Sequence, residues 1–185
     1  MKELLFKPFE KYSENKLLLV GISCSVIGLF IGDYFNASFD GVLDLHFGGE
    51  ISLLTSFIYW LIDLSCILLT LYLAAKVINQ KTRMIDLLGT VLIARIPLVL
   101  LPLFNIGNKA FLIGEELIKS VDPIQNNTPH LIFNTSSVIF LATMSIVLIA
   151  MIVWYVALLF NGYKTASNAK VTKSIVLFIL AILIA

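Results

Sequence analysis

Long runs of apolar residues, separated by short polar segments, dominate the pattern along the chain. Four runs cover residues 17–35, 51–78, 84–104 and 135–160, and a shorter fifth run occupies residues 174–185. A helix needs about 20 apolar residues to cross a hydrocarbon core of about 30 Å. The pattern therefore predicts an all-α fold, a polytopic membrane helix bundle.

The fifth run is too short to cross a bilayer by itself, because its helix would extend only about 18 Å. It spans the membrane if the helix begins earlier, near Asn168, or if the native chain continues beyond Ala185. We therefore expect a fifth span over residues 168–185. The spans form a single helical membrane domain of residues 17–185 behind a cytosolic tail of residues 1–16.

Lysine and arginine are distributed unevenly between the two sides of such a bundle. The tail and the loops after the second and fourth spans hold ten of them: Lys2, Lys7, Lys11, Lys16, Lys76, Lys81, Arg83, Lys164, Lys170 and Lys173. The opposite loops hold only Lys109 and Lys119. Because basic loops stay in the cytoplasm, the bias predicts five spans with the N-terminus inside and the C-terminus outside.

The third loop contains a further helical pattern within the segment KAFLIGEELIKSV. Its apolar side chains recur at helical spacing and fall on one face: Ala110, Ile113, Leu117, Ile118 and Val121. Glu115, Glu116 and Lys119 lie on the other face. We predict a short helix in the membrane interface, with these charged side chains toward water.

The composition agrees with a membrane protein and gives no support to enzyme chemistry. Hydrophobic residues make up 59% and charged residues 14% of the chain, against about 45–50% and 25% in soluble domains. Cys24 and Cys66 lie inside apolar runs, and His46, near Asp44, and His130 are single histidines in outer loops. Because no catalytic triad, phosphate loop or metal-binding motif occurs, we expect no catalytic residue, cofactor, metal or nucleic-acid partner.

Small residues form a stripe along the first span. Gly21, Ser25, Gly28 and Gly32 recur every three or four residues and so share one helix face. Such a face lets a neighbouring backbone approach closely, which is how membrane helices associate. We predict that this face packs against another span, although a substrate path is the alternative interpretation.

The second span carries a polar stripe with an acidic residue near its middle. The stripe comprises, at alternating spacings of four and three, the residues Ser52, Ser56, Tyr59, Asp63, Cys66 and Thr70. The loop to the third span has about five residues, so these two spans should be antiparallel neighbours. Asp63 and Arg95, at the centre of the third span, lie at depths that differ by about one helical turn. We therefore predict an Asp63–Arg95 pair inside the bundle.

A charge at the centre of a membrane helix costs about 2.5–3.5 kcal/mol on insertion scales. The predicted pair is then either a structural ion bridge or an ion or proton site. Pro97 and Pro102 remove the hydrogen bonds to the carbonyls of Ile93 and Leu98. These prolines are either kinks or the source of exposed carbonyls, which transporters use beside buried charges.

Near the inner surface, Asp86 has two candidate basic partners, Arg83 and Lys76. A carboxylate that stabilises a helix N-terminus is the simpler interpretation of its position.

Three segments resemble motifs of the Yip (Ypt-interacting protein) family. Residues 86–90, DLLGT, are similar to its DLYGP signature, with Leu88 and Thr90 replacing Tyr and Pro. The ARIP step at 94–97 resembles the A-R-x-P of bacterial members, and NGYK at 161–164 resembles the Gly-Tyr motif. The positions that carry the resemblance, which covers residues 51–185, are Asp86, Gly89, Arg95, Pro97, Gly162 and Tyr163.

The resemblance implies a five-span membrane protein whose role is membrane organisation and trafficking rather than catalysis. The long N-terminal region through which eukaryotic members contribute to Rab GTPase binding is absent from this sequence, so Rab binding is not carried over. The bacterial plasma membrane is the expected location, or an endomembrane in a eukaryote. The expected partners are the lipid bilayer and other membrane proteins, including a second copy of the chain.

Two hypotheses for function arise from these observations. The first is a non-enzymatic scaffold that binds lipids or membrane proteins, supported by a loop at 162–173 with three lysines and no acid. The second is an oligomeric transporter or channel for a small ion or solute, with a path lined by the polar stripe and Arg95. A water-accessible cavity that reaches Asp63 would favour the second hypothesis, and a dry, paired bundle would favour the first.

Overall fold

The computed structural model describes residues 5–48, 52–121, 134–168 and 171–185, and it is 83% helical. The α-helices are α1 Pro8–Lys11, α2 Glu14–Tyr34, α3 Leu53–Ile78, α4 Met84–Ala94, α5 Lys109–Val121, α6 Thr135–Ser167 and α7 Val171–Ile184. A 3-10 helix, Ile96–Asn108, joins α4 to α5. Strands β1 Ala37–Ser38 and β2 His46–Phe47 pair as a short antiparallel hairpin.

Four helical segments are long and apolar enough to cross a membrane. They are Glu14–Tyr34, Leu53–Ile78, Met84–Ile118 and Thr135–Ser167, and Ser174–Ile184 is a shorter apolar helix. These segments confirm a bundle of several long apolar helices at the positions of the first four predicted spans. The fifth predicted span corresponds to α7, whose length is about 21 Å at 1.5 Å per residue.

Helix α4 forms the centre of the bundle. It packs against α2, α3 and α6, and Leu87, Val91 and Ala94 along it are fully buried. The outer helices instead expose large apolar side chains, such as Phe30 on α2 and Ile146 on α6. An apolar surface of this kind is stable when lipid, rather than water, surrounds the bundle.

The small-residue stripe of α2 packs against α4 and the 3-10 helix, as predicted. All four of its residues are buried. A Cβ on Gly21 would lie 2.6 Å from the Cβ of Leu92, and one on Gly28 would lie 2.9 Å from Cγ2 of Val99. Only glycine allows this separation of the helices. Helix packing accounts for the glycines at positions 21 and 28, and the substrate-path interpretation of the stripe stays a prediction.

The third span is not one α-helix over residues 84–104. The α-helix ends at Ala94, and the chain continues through both prolines as a 3-10 helix. Because proline has no N–H, the two prolines remove two hydrogen bonds of the α-helical pattern. Hydrogen bonds to the third preceding residue replace that pattern. One of them joins Leu98 N–H to Arg95 O at 3.0 Å. The helix breaks at residues 105–107, where the sequence predicted the end of the span.

Helix α6 continues beyond the predicted boundary at residue 160. No glycine–proline signal interrupts the sequence there, and the helix ends only at Asn168, whose φ of 49° is left-handed. Gly162 and Tyr163, which were predicted to lie in a loop before the fifth span, are therefore helical and buried. Residues 169–170 of that loop lie outside the described residues.

The predicted helix of the third loop exists as α5, with one difference in its apolar face. Ala110 and Ile113 are buried, whereas Ile118 is 69% exposed. α5 packs on the 3-10 helix, but this packing does not cover Ile118. The structure does not describe the side chains of residues 119–121. Residues 122–133, which include His130, also lie outside the described residues.

The N-terminal segment packs on the bundle instead of extending from it as a tail. Nε1 of Trp154 donates to Leu5 O at 2.9 Å, and Nδ2 of Asn161 donates to Phe6 O at 2.9 Å. Both donors lie on α6. The tail that the sequence predicted over residues 1–16 is therefore anchored from residue 5 onward, and residues 1–4 are not described.

Candidate functional site

The buried ion pair predicted from the sequence is present at the centre of the bundle. Nη2 of Arg95, the residue that ends α4, donates to Oδ2 of Asp63 on α3 at 3.2 Å. Both side chains are 7% exposed. The short connection between α3 and α4 makes them antiparallel neighbours, which brings the two side chains within reach of each other.

A tyrosine that the sequence reasoning did not single out lies beside this pair. Tyr155 of α6 is fully buried and lies within electrostatic range of Asp63 and Arg95. Its hydroxyl has no hydrogen-bond partner among the described residues. Because Tyr155 sits in a continuous apolar run, no periodic signal in the sequence marked it.

The polar stripe of α3 does not form one continuous path. Asp63 and Ser56 are buried and Tyr59 is half-buried, but Cys66 is exposed. The stripe repeats every 3.5 residues, whereas a straight α-helix repeats every 3.6, so its members drift around the helix by about 20° per heptad. The exposed Cys66 therefore does not line the same interior surface as Asp63, and a path lined by the stripe stays a prediction.

The other two stripe residues form hydrogen bonds with backbone groups of their own helix. Ser52 caps the N-terminus of α3, since its Oγ accepts from Thr55 N–H at 3.2 Å. Thr70 is half-buried, and its hydroxyl donates to Cys66 O at 3.0 Å. Both contacts are local and structural.

Pro97 directly follows the ion pair and is fully buried. It fills the first turn of the 3-10 helix, a position where its missing N–H leaves no intrahelical bond unmade. The proline thus fixes the end of α4 at the residue that carries the guanidinium group.

A cavity of about 40 Å³ lies on the side of Arg95 that faces the hairpin. Its polar lining side chains include Ser25, Ser38, Ser56 and Arg95. Asp63 is not among the lining residues of this cavity. Ser38, in the first loop, had no signal in the sequence, because only the pairing of β1 with β2 folds it onto the bundle.

Two of the positions similar to the Yip motifs, Gly162 and Tyr163, lie where α6 packs on α4 and on α7. A Cβ on Gly162 would overlap the side chain of Thr90. The hydroxyl of Thr90 donates to Asp86 O at 2.9 Å. Tyr163, fully buried, contacts Phe178 of α7 with ring centroids 5.6 Å apart. Gly162 and Tyr163 thus take part in helix packing, against α4 and α7 respectively.

Gly89, another of these positions, is buried on α4 and faces α2. A Cβ on it would lie 3.8 Å from Cβ of Leu17, an ordinary contact. Space alone therefore does not require glycine at this position.

Asp86 pairs with Arg83, one of its two predicted partners. Nη2 of Arg83 donates to Oδ1 of Asp86 at 2.7 Å and also binds Glu14 at the start of α2. Lys76 instead donates to Gln80 O at 2.6 Å. The pair with Asp86 and the carboxylate of Glu14 raise the pKa of Arg83. This cluster ties the α3–α4 loop to the start of α2.

Asn105 is a structural residue that the sequence reasoning missed. It is 1% exposed. Its Nδ2 donates to Phe35 O at 2.7 Å, and its Oδ1 accepts from Phe111 N–H at 3.1 Å. It therefore joins the end of α2 to the start of α5 across the break in the third span. The neighbouring Gly107, with a φ of 64°, was the available sequence signal for that break.

Asp40 joins Asp44 and His46 in an exposed group in the hairpin loop. Their ligand-type atoms all lie within 4.8 Å of one another. Nδ1 of His46 is hydrogen-bonded to Oδ1 of Asp40 at 2.7 Å. This bond and the charge of Asp40 raise the pKa of His46 above 6.5. The sequence reasoning considered Asp44 with His46 but not Asp40.

The chain matches no protein-family model, no curated protein and no solved structure. The similarity to the Yip motifs therefore stays a prediction, and the contacts within this chain are the basis for its functional interpretation.

Proposed function

We propose that this chain is a five-span, non-enzymatic integral membrane protein of the Yip type, with the N-terminus inside and the C-terminus outside. In this proposal it is a scaffold that organises lipids or other membrane proteins, including a second copy of itself. The expected location is the bacterial plasma membrane, or an endomembrane in a eukaryote.

The observation that carries the proposal is the collection of basic side chains at one end of the bundle. The contacts of Trp154 and Asn161 bring the N-terminal segment to α6, and the Arg83–Glu14 pair brings the α3–α4 loop to α2. Exposed basic residues of these three segments are Lys7, Lys11, Lys16, Lys81, Arg83 and Lys164. Each such residue near an anionic leaflet contributes about 1 kcal/mol, which supports binding of anionic lipid at this end.

The closed surroundings of Asp63 also support a scaffold. Asp63 is 5% exposed and is bonded to Arg95. A charge that serves as a transport site needs access to water along a path. The pair is better explained as the contact that fixes the face on which α3 meets α4.

Lipid enrichment around the reconstituted protein tests this proposal. The full chain is placed in vesicles of phosphatidylcholine and phosphatidylglycerol, and spin-labelled lipids report the preference for the anionic species. We expect enrichment in the wild type and a several-fold loss in the triple variant Lys11→Gln, Lys16→Gln, Lys164→Gln. Lys109→Gln, an exposed lysine at the other end, is the matched control and should change nothing. Equal lipid preference in all three proteins would contradict lipid binding at the basic end.

Transport of a small ion or solute is the second candidate, because the cavity beneath the hairpin touches Arg95. A flux assay in the same vesicles separates the two functions. The scaffold proposal predicts no flux above that of protein-free vesicles. Flux that is abolished by Asp63→Asn would contradict the scaffold proposal and support transport.

A further inference from the structure

The cavity beside Arg95 has the features of a small binding site. It is bounded by α2, α3, the 3-10 helix and β1, and it includes small wall residues at Gly28, Gly32 and Ala37. Its volume is about 40 Å³. Since a water molecule needs about 10–15 Å³ by this measure, the cavity holds roughly three.

Two buried polar atoms of the lining residues lack partners. Nη1 of Arg95 and Oγ of Ser38 have no hydrogen-bond partner within the described parts of the chain. Arg95 is 6% exposed and Ser38 is 5% exposed. A buried polar group that is left unbonded destabilises the fold, and a charged donor does so most. Both residues line the cavity, which makes an occupant of the cavity the candidate partner for each.

The chemistry of these atoms defines the occupant. A guanidinium group only donates hydrogen bonds, so the occupant must accept them. The carboxylate of Asp63, bonded to Nη2 of the same group, already balances the charge of Arg95. An anion would therefore bring an uncompensated charge into a poorly solvated interior. We propose that this cavity binds a small neutral hydrogen-bond acceptor: water, or a solute the size of two or three water molecules.

A second hollow lies next to this cavity. It has a volume of about 10 Å³, enough for one water molecule. It shares lining residues with the cavity, among them Ser38 and Ser56, and extends to the exposed residues Asp33 and Asn36. The shared lining residues place the second hollow next to the cavity, on the side toward the hairpin end of the bundle. Asp63 lines neither of them, and the site lies toward the opposite end of the bundle from the basic residues on which the scaffold proposal rests.

Hydration of the Arg95 guanidinium tests the proposal directly. The chain contains only two arginines, Arg83 and Arg95, so arginine-selective ¹⁵N labelling gives two sets of side-chain signals. In water-edited solid-state NMR of the full chain in bilayers, the exposed Arg83 is the internal positive control. We expect water magnetisation to reach Arg95 in the wild type. A dry Arg95 beside a hydrated Arg83 would overturn the proposal without any variant.

A matched pair of variants locates the water. Ser56→Leu fills the cavity from α3, whereas Ser65→Leu changes an exposed position of the same helix that is outside the cavity lining. We expect the Arg95 water signal to fall several-fold in Ser56→Leu and to stay unchanged in Ser65→Leu. An equal signal in the two variants would show that the water lies elsewhere, and the proposed site would be wrong.

Anion exchange tests the neutral class of the occupant. Replacing gluconate by bromide in the buffer should leave the ¹⁵N shifts of Arg95 unchanged in the wild type. A shift at Arg95 that saturates with bromide, with none at Arg83, would identify an anion site and overturn the assignment to a neutral acceptor.

Discussion

The contact between Gly162 and Thr90 decides how closely α6 approaches α4. A Cβ at position 162 would overlap the side chain of Thr90. Overpacking of this kind costs about 1–3 kcal/mol. We therefore expect Gly162→Ala to lower the free energy of unfolding by about that amount in detergent, measured by thermal and denaturant unfolding.

The control for this prediction is Gly114→Ala on α5. Among the described residues, no atom outside its own stretch of helix lies within 4 Å of a Cβ there, and alanine favours a helix by up to about 1 kcal/mol over glycine. Gly114→Ala should thus be neutral or stabilising. Thr90→Ala combined with Gly162→Ala should recover part of the loss. If the two glycine variants behave alike, the close approach at Gly162 is not what limits packing.

His46 provides a pH-dependent contact in the hairpin loop. The hydrogen bond to Asp40, and then the charge of Asp40, raise the pKa of His46 above 6.5. Because the folded pKa is the higher one, the pair stabilises the hairpin fully below the unfolded pKa and loses this effect as the pH rises through the folded pKa. NMR titration of the His46 ring should show this raised value.

Two variants separate the causes of that shift. Asp40→Asn should lower the pKa of His46 toward 6.5, while Asp44→Asn, whose carboxylate is 4.0 Å from Nδ1, should lower it less. A larger effect from Asp44→Asn would show that the hydrogen bond to Asp40 does not form in solution.

Among the elements, the third span depends most on its two prolines. A 3-10 helix rises about 2.0 Å per residue, against 1.5 Å in an α-helix. With the prolines present, α4 and the 3-10 helix together extend about 34 Å to the break at Asn105, enough to cross a hydrocarbon core of about 30 Å. The prolines thus lengthen the span as well as ending α4 beside Asp63.

Replacing both prolines by alanine should convert this segment to an α-helix and shorten it by about 4 Å. Spin labels at the exposed positions Ile85 and Ile106, in a chain with both cysteines replaced by alanine, measure that distance by double electron–electron resonance. Leu100→Ala, an exposed change in the same segment, should leave the distance unchanged. A constant distance in the double proline variant would mean that surrounding packing, rather than proline, enforces the 3-10 helix.

The sequence predicted where most helices lie, but not their exact ends or geometry. The lengths of the apolar runs and the small-residue stripe of α2 are local properties of the sequence, so they could be predicted from it. Whether Pro97 produces a kink or a 3-10 helix depends on the neighbours, among them Asn105 and its bond to Phe35. The end of α6 at Ser167 was missed because residues 161–167 are polar but contain no proline and remain compatible with a helix.

In the whole molecule, apolar side chains cover the sides and basic side chains collect at one end. This distribution predicts the orientation in the membrane. In a chain with both native cysteines replaced by alanine, Lys81→Cys should react with a membrane-impermeant maleimide only after the cytoplasmic side is opened. Lys109→Cys should react in intact cells. The reverse pattern would contradict an N-terminus on the inside.

Of the candidate site, the sequence predicted the charges but not their surroundings. The positions of Asp63 and Arg95 along their helices and the short α3–α4 loop were sufficient to predict their contact, because α3 and α4 are consecutive in the chain. Ser38 and Tyr155 come from a hairpin and from a distant helix, and only the assembled bundle places them nearby. Contacts between elements distant along the chain have no periodic signature.

A structural role for the Asp63–Arg95 pair is best tested by exchanging its charges. The unfolding free energy in detergent is compared for Asp63→Ala, Arg95→Ala, the double alanine variant, and Asp63→Arg with Arg95→Asp. Removing one partner of a buried pair costs about 3–5 kcal/mol. We expect each single variant to lose about this much, and the double variant or the exchange to recover most of it. Single variants that fold with nearly wild-type stability would show that the charges are solvated, and would contradict a structural pair at the centre of this bundle.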